Sequence, residues 1–415
     1  MADLSETPNA NRIRIAFFGL RNAGKSTLVN AFTGQPIAIV SDVAGTTTDP
    51  VSKAMEILPL GPCLVTDTAG LDDEGALGAM RVEKTLKVLE TTDIAVWVWG
   101  ADEAAERSGR RFPDFADACR RRNVTVLEYR RGDSVEELKR KIAAVKLGET
   151  TPGLLDGLVK AGDRVLCVCP IDESAPKGRL ILPQVQVIRA CLDLGATATV
   201  CQPKDVEGVL GAWCLVPGVR GSILVVTDSQ AFGEVNRTIE QSNNLSIEQS
   251  EQSEQSNNRT ISQSLNRTIS RSNNRTIPLT SFSILFARQK GDIAAYRDGL
   301  KALKTLKDGD TVLVAEGCTH HRQCNDIGTV KIPKAIRKLT GRQLNFVFAS
   351  GTAFESADQA ISRFSLIVQC GGCMLTRREV LRRIALAKAA GVPIVNYGMV
   401  LACVAGVDVD RCTLG

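Results

Sequence analysis

The stretch Gly19-Leu20-Arg21-Asn22-Ala23-Gly24-Lys25-Ser26 fits G-x-x-x-x-G-K-[ST] without a gap, and it constrains the fold more than any other part of the chain. The apolar run from Ile13 to Phe18 before it reads as a strand and the segment after it as a helix, which is the context the motif requires. Its glycines permit a turn whose N–H groups face phosphate oxygens. Lys25 then reaches the β and γ phosphates, and Ser26 holds Mg²⁺. The expected nucleotide contacts are Gly19, Asn22, Ala23, Gly24, Lys25, Ser26 and Thr27. A strand, a phosphate loop and a helix in that order predict an α/β layer.

Two further segments follow in a suitable order. Gly45-Thr46-Thr47-Thr48-Asp49 resembles the switch I loop of translation-factor-type GTPases, which implies that Thr46 and Thr47 contact the nucleotide and that Thr47 completes the Mg²⁺ shell. Asp67-Thr68-Ala69-Gly70, after the strand-like Cys63-Leu64-Val65, resembles the D-x-x-G loop. By that resemblance Asp67 acts through a metal-bound water and Gly70 senses the γ phosphate. Read blandly, these are a threonine-rich turn and an ordinary strand end. With Lys25, Asp67 and Gly70, Asn22 completes the expected catalytic group. In similar GTPases an asparagine at that position ligates K⁺; otherwise it tolerates the backbone angles of the loop. Leu71 follows Gly70, so no glutamine is available there to orient water. The N-K-x-D tetrad that reads guanine does not occur between Trp99 and Lys146. The nearest stretch, Arg130-Arg131-Gly132-Asp133, precedes a probable helix from Ser134, which in similar GTPases follows a later loop. A deletion explains this better than a disguised tetrad, so the choice of GTP rests on resemblance.

A second chemistry stands near the C-terminal end: Cys318-Thr319-His320-His321, and later Gln369-Cys370-Gly371-Gly372-Cys373. Each cluster follows a short β-branched run, Val312-Leu313-Val314 and Leu366-Ile367-Val368, so both sit where strands end. In a parallel sheet those ends share one rim, where Cys318, Cys370 and Cys373 can converge on a metal. Three thiolates suit an iron–sulfur cluster with one labile corner or a tetrahedral zinc, and buried unligated cysteines are the bland reading. Gly371 and Gly372 allow backbone N–H groups to approach bridging sulfides. The expected helix from about Arg377 to Ala390 points its positive end at an anionic cluster.

Cys370-Gly371-Gly372-Cys373-Met374-Leu375, Arg377-Arg378-Glu379, Gly391-Val392-Pro393-Ile394 and Asn396-Tyr397-Gly398 together resemble the cluster domain of the HydF family, the GTPase scaffolds that mature [FeFe]-hydrogenase. Cys318, His320, Cys370 and Cys373 match the family pattern, but Gln369 stands where the family has histidine. The resemblance implies a [4Fe-4S] cluster on the three cysteines. It leaves His320, His321, Glu316 or solvent for the fourth corner, with His320 as the family's candidate. It further implies a homodimer, a transient [2Fe] precursor, the radical-SAM maturases HydE and HydG as partners, and apo-[FeFe]-hydrogenase as recipient.

Between these regions, Val165-Leu166-Cys167-Val168, Ala175 to Pro183 and Val225 to Phe232 resemble the HydF dimerisation domain, with a helix expected from Gln184 to Leu194. Cys167-x-Cys169 reads as buried core, because both side chains share one face of a strand. From Asn236 to Thr276 the composition falls to Asn, Gln, Ser, Glu, Arg and Thr, with Asn-Arg-Thr-Ile recurring, which predicts a disordered insert. The expected architecture is α/β throughout: a P-loop GTPase domain over 1–158, a dimerisation domain over 159–277 with the insert at 236–277, and a cluster-binding domain over 278–415.

Composition narrows the function classes. A net charge of +5 on 415 residues and 4% aromatics argue against a nucleic-acid surface. Thirteen scattered cysteines and an opening Met-Ala-Asp-Leu-Ser-Glu, with neither a basic leader nor a long apolar stretch, predict a cytoplasmic location or a reducing organelle matrix, without a membrane span. Two other readings share the same motifs: a regulatory GTPase for RNA modification or ribosome assembly with a structural zinc, and a diverged copy of reduced activity.

Overall fold

The computed structural model describes residues 7–36, 50–72, 75–100, 103–147, 151–171, 178, 180–215, 221–241, 277–317, 326–350, 354 and 361–414. The switch I threonines Thr46 and Thr47, residues 242–276 of the repeat insert, and Cys318, His320 and His321 lie outside them. Residues 236–241, expected to open a disordered insert, are helical instead, because Ile239 is buried in the core beside Phe232 and Val235. The chain divides into two compact units, Met1–Thr150 and Thr151–Gly415.

The first unit holds a sheet of order β2-β3-β1-β4-β5. Strands β1 (Ile13–Phe18), β3 (Gly61–Asp67), β4 (Ile94–Val98) and β5 (Thr125–Tyr129) run parallel, and β2 (Val51–Ile57) pairs antiparallel with β3 at the edge. The central strands are apolar on both faces, as helices on both sides demand. Ile15, Phe17, Val96 and Val98 join one core with Val29 and Phe32, while Phe18 and Trp97 join another with Phe115 and Cys119. β5 pairs directly with β4, so the described sheet has no strand between them, in keeping with a shortened domain.

The second unit holds two four-stranded parallel sheets. One runs β7-β6-β8-β9, from β6 (Arg164–Val168), β7 (Thr197–Cys201), β8 (Ile223–Thr227) and β9 (Leu279–Ser281). The other runs β11-β10-β12-β13, from β10 (Thr311–Glu316), β11 (Asn345–Ser350), β12 (Leu366–Gln369) and β13 (Ile394–Asn396). The sequence reading assigned β9 to the last domain, but it hydrogen-bonds to β8, and helix Phe282–Lys290 then leads the chain towards the second sheet. Leu166, Val225 and Phe232 share a core with Val314, Val368 and Val400, so the two sheets are packed into one body. No helix among the described residues is long and apolar enough to cross a membrane.

Candidate functional site

The phosphate loop leaves β1 between β3 and β4, where the strand order reverses, which is the usual ligand position in such sheets. Asn22 and Gly24 adopt left-handed angles, φ 59° and 89°, and Gly24 caps helix Lys25–Thr33. Lys25 is buried and donates to the carbonyls of Leu20 at 2.8 Å and Gly19 at 3.3 Å. Ser26 Oγ donates to Asp67 Oδ2 at 2.6 Å. Gly70 lies so close to the loop that a Cβ there would stand 2.8 Å from the Arg21 nitrogen, and the Arg21 N–H donates to Asp72 at 2.6 Å. The loop and the D-x-x-G segment therefore form one wall.

Asp67 Oδ1 is buried and has no hydrogen-bond partner. Burial pushes the Asp67 carboxyl up, against the opposing effects of the Ser26 hydroxyl, the Lys25 charge and the Thr68 amide. An orphaned carboxylate oxygen beside the motif serine suits a hydrated Mg²⁺, so these residues fit that ion. At the expected base end, Asp133 accepts from the Arg130 N–H at 2.7 Å, which closes the Arg130–Asp133 turn on itself. Ser134 then caps helix Val135–Ala143 by accepting from the Glu137 N–H at 3.3 Å.

The cysteine site also sits at a reversal of strand order, between β10 and β12. Ala315 registers with Gln369, and the Cys370 N–H donates to the Ala315 carbonyl at 3.0 Å. The N–H of Gly317, the residue before Cys318, donates to Cys370 Sγ at 3.1 Å. Gly317 after β10 and Cys370 after β12 therefore leave the sheet side by side. Gly372 takes φ 70°, and a Cβ on it would stand 3.1 Å from Val380; one on Gly371 would stand 3.0 Å from Ser283 Oγ. Helix Arg377–Ala389 begins just after the loop, with Thr376 accepting from the Glu379 N–H at 3.2 Å.

Sequence reasoning missed Lys290. It is 1% exposed, and its ammonium donates to the carbonyls of Leu375 at 2.8 Å and of Gly372 and Cys373 at 3.2 Å each. Burial pulls its pKa down to about 8, partly offset by Cys373 and Cys370. A signal was present: positions 282, 286 and 290 recur at helical spacing, so the lysine falls on the apolar stripe of Phe282 and Phe286.

Gln369 is fully buried at the end of β12 and donates to Tyr296 Oη at 3.1 Å, while its Oε1 has no partner. The Glu316 carboxylate packs against Gly328 near Tyr397 Oη. Among the described residues no group of three His, Cys, Asp or Glu is placed to hold a metal, and Cys318 and His320 are outside that set. The surroundings of Cys370 and Cys373 suit an anionic cluster: an amide on sulfur, glycines where a side chain would intrude, a helix N-terminus and a buried cation. Cys167 and Cys169 are core, as expected, and burial pushes both thiols up, Cys169 to about 12.

Three family models match the chain. Residues 14–128 match "50S ribosome-binding GTPase", residues 154–249 "Hydrogen maturase F dimerization domain", and residues 294–413 "Hydrogen maturase F tetramerization domain". The two maturase models together span more than half of the chain. The chain belongs to the HydF maturases. The HydF segment expected to carry the cysteine site is therefore also the one that the family describes as its tetramerization domain. The chain is 38% identical over 98 residues to the tRNA modification GTPase MnmE of Zymomonas mobilis, across 23% of this chain and 22% of that protein. It is 38% identical over 130 residues to GTPase Der of Myxococcus xanthus, across 30% and 28%. It spans 28% or less of the length of either relative. A solved structure of Era with MgGDPNP and a 16S ribosomal RNA segment covers 46% of this chain and 92% of that one at 18% identity, with a TM-score of 0.26; the α/β assignment of this HydF chain rests on its own strand order.

Proposed function

We propose that this chain is a GTP-hydrolysing scaffold of [FeFe]-hydrogenase maturation, which carries a [4Fe-4S] cluster on Cys318, Cys370 and Cys373 and delivers a diiron precursor to the apo-hydrogenase. The observation that supports it most is the Gly317 N–H on Cys370 Sγ, which brings the residue before Cys318 to Cys370 at a reversal of strand order. The cluster supplies an exchangeable iron corner. The chain supplies the thiolates, the amide that stabilises one of them, and a glycine loop that leaves room for sulfide. His320, His321 and Glu316 remain the protein candidates for the fourth corner.

In the nucleotide unit, water attacks the γ phosphorus, and the bond to the β–γ bridging oxygen breaks with its electrons passing to GDP. Lys25 stabilises the charge that develops on the phosphate oxygens, and Ser26, Thr47 and Asp67 would hold Mg²⁺, which would offset that charge when bound. Asn22 would hold K⁺, which would supply positive charge at the phosphates, with Leu71 and no glutamine following Gly70. Gly70 meets the γ phosphate through its N–H. Both maturase domains take part in oligomer formation, and HydE, HydG and the apo-hydrogenase dock on that assembly.

Iron and acid-labile sulfide on anaerobically reconstituted protein, with electron paramagnetic resonance after reduction, test the reading. About four of each per chain with a reduced-cluster signal is the expected result. Zinc without sulfide would overturn it. Cys370→Ala should lose the cluster and keep nucleotide binding, whereas Lys25→Ala should lose hydrolysis and keep the iron.

A further inference from the structure

We propose that Lys290 is a positioning residue for the Cys370–Cys373 loop: three hydrogen bonds from its ammonium fix the turn that presents Cys373, before any metal arrives. The lysine ends helix Phe282–Lys290, buried, and all three bonds go to backbone carbonyls, those of Gly372, Cys373 and Leu375. An ammonium has three N–H groups, so its donor capacity is fully used. Removing such a group from water is unfavourable unless it is this well satisfied, so the contact is specific and not incidental filling of a core.

The carbonyls need the cation as much as it needs them. The loop turns sharply, with Gly372 at φ 70° and the Leu375 N–H donating to the Gly372 carbonyl at 3.0 Å. That turn aims carbonyl dipoles at one buried point. Without a positive charge there the dipoles repel each other, the Gly372 carbonyl keeps only the Leu375 N–H, and the loop opens. The helix that carries Lys290 begins directly after β9, with Ser281 Oγ accepting from the Ile284 N–H at 3.2 Å. The cysteine loop is thus held against an element rooted in the neighbouring sheet, in addition to its own strand. The same ammonium puts positive charge behind the two sulfurs, where an anionic cluster gains from it.

The test uses the full chain in two forms, and only the second depends on the iron–sulfur reading. In metal-free protein, hydrogen exchange is followed by mass spectrometry on peptides spanning Cys370 to Thr376, comparing wild type with Lys290→Met and Lys290→Gln. The expected result is exchange roughly tenfold faster in that segment for Lys290→Met, with Lys290→Gln between the two, because an amide keeps some donors. Wild-type rates in the segment would overturn the proposal, and so would acceleration spread evenly over the unit or global unfolding of both variants. In iron-loaded protein, Lys290→Met should surrender iron to a chelator faster than wild type, with a more negative reduction potential; equal rates and potentials would overturn the role. If wild type takes up zinc instead, the cluster reading fails while the exchange result still decides the positioning of the loop.

Discussion

One oxygen of Asp67 takes the Ser26 hydroxyl and the other is buried without a hydrogen-bond partner, and burial holds its carboxyl above the ordinary range. Because burial raises its folded-state pKa, the proton stabilises the fold below the ordinary carboxylate range, and that stability is lost as pH rises through the raised value. Asp67→Asn should therefore raise the thermal midpoint of nucleotide-free protein at neutral pH while abolishing the tightening of nucleotide binding by Mg²⁺. Calorimetry with and without Mg²⁺ measures both, and a lowered midpoint would contradict the assignment. At the other site Gly372→Ala forces a side chain to φ 70° against Val380, a cost of about 1–2 kcal/mol confined to the cysteine loop. Iron content should fall more in that variant than overall stability does. The phosphate loop, Asp67 and the cysteines were legible in the sequence because each is a local pattern at a strand end. Lys290 was passed over because its burial is decided by segments distant in the chain.

Among the elements, helix Arg377–Ala389 shows how a charged sequence is buried safely. Glu379 bonds Arg382 at 2.8 Å and Arg383 at 2.7 Å, and Arg383, almost wholly buried, stacks over Phe354 at 4.6 Å. Burial raises the Glu379 carboxyl, but the two arginines together outweigh it and hold it below the ordinary range. Its stability is therefore present above the ordinary glutamate pKa and lost as pH falls through the lowered value. Glu379→Ala should cost about 3 kcal/mol at neutral pH, because the buried Arg383 guanidinium loses its neutralising carboxylate, and the cost should shrink on acidification in denaturant titrations. In the nucleotide unit, the Arg130–Asp133 turn engages its carboxylate with its own backbone. Competition assays should find GTP favoured over ATP by less than about a hundredfold, well under what a dedicated hydrogen-bonding site achieves. The edge strand β2 was not legible in the sequence, since Val51, Ser52 and Lys53 are all exposed and no alternation marks a buried face. Nor was the pairing of β9 with β8 legible, because three residues carry no information about which edge they join.

For the whole molecule, the division at Thr150 implies two bodies that fold without each other's help. Residues 151–415 expressed alone should keep a cooperative thermal transition and the iron-binding capacity of the full chain; loss of both would show that the nucleotide unit is needed for folding. Within that second body, among the described residues, the chain passes from β9 to β10 through helix Phe282–Lys290 and then helix Ile293–Leu303. In mechanical terms the first helix is a strut, about 13 Å long at 1.5 Å per residue, anchored at one end in the sheet of the dimerization domain and at the other on the carbonyls behind two cysteines. A rigid strut passes a displacement from one end to the other. Any rearrangement of subunits that tilts the middle sheet should therefore reach the cysteine loop as a push on its backbone, and under the proposed scaffold function that push would act where the cluster is to be held.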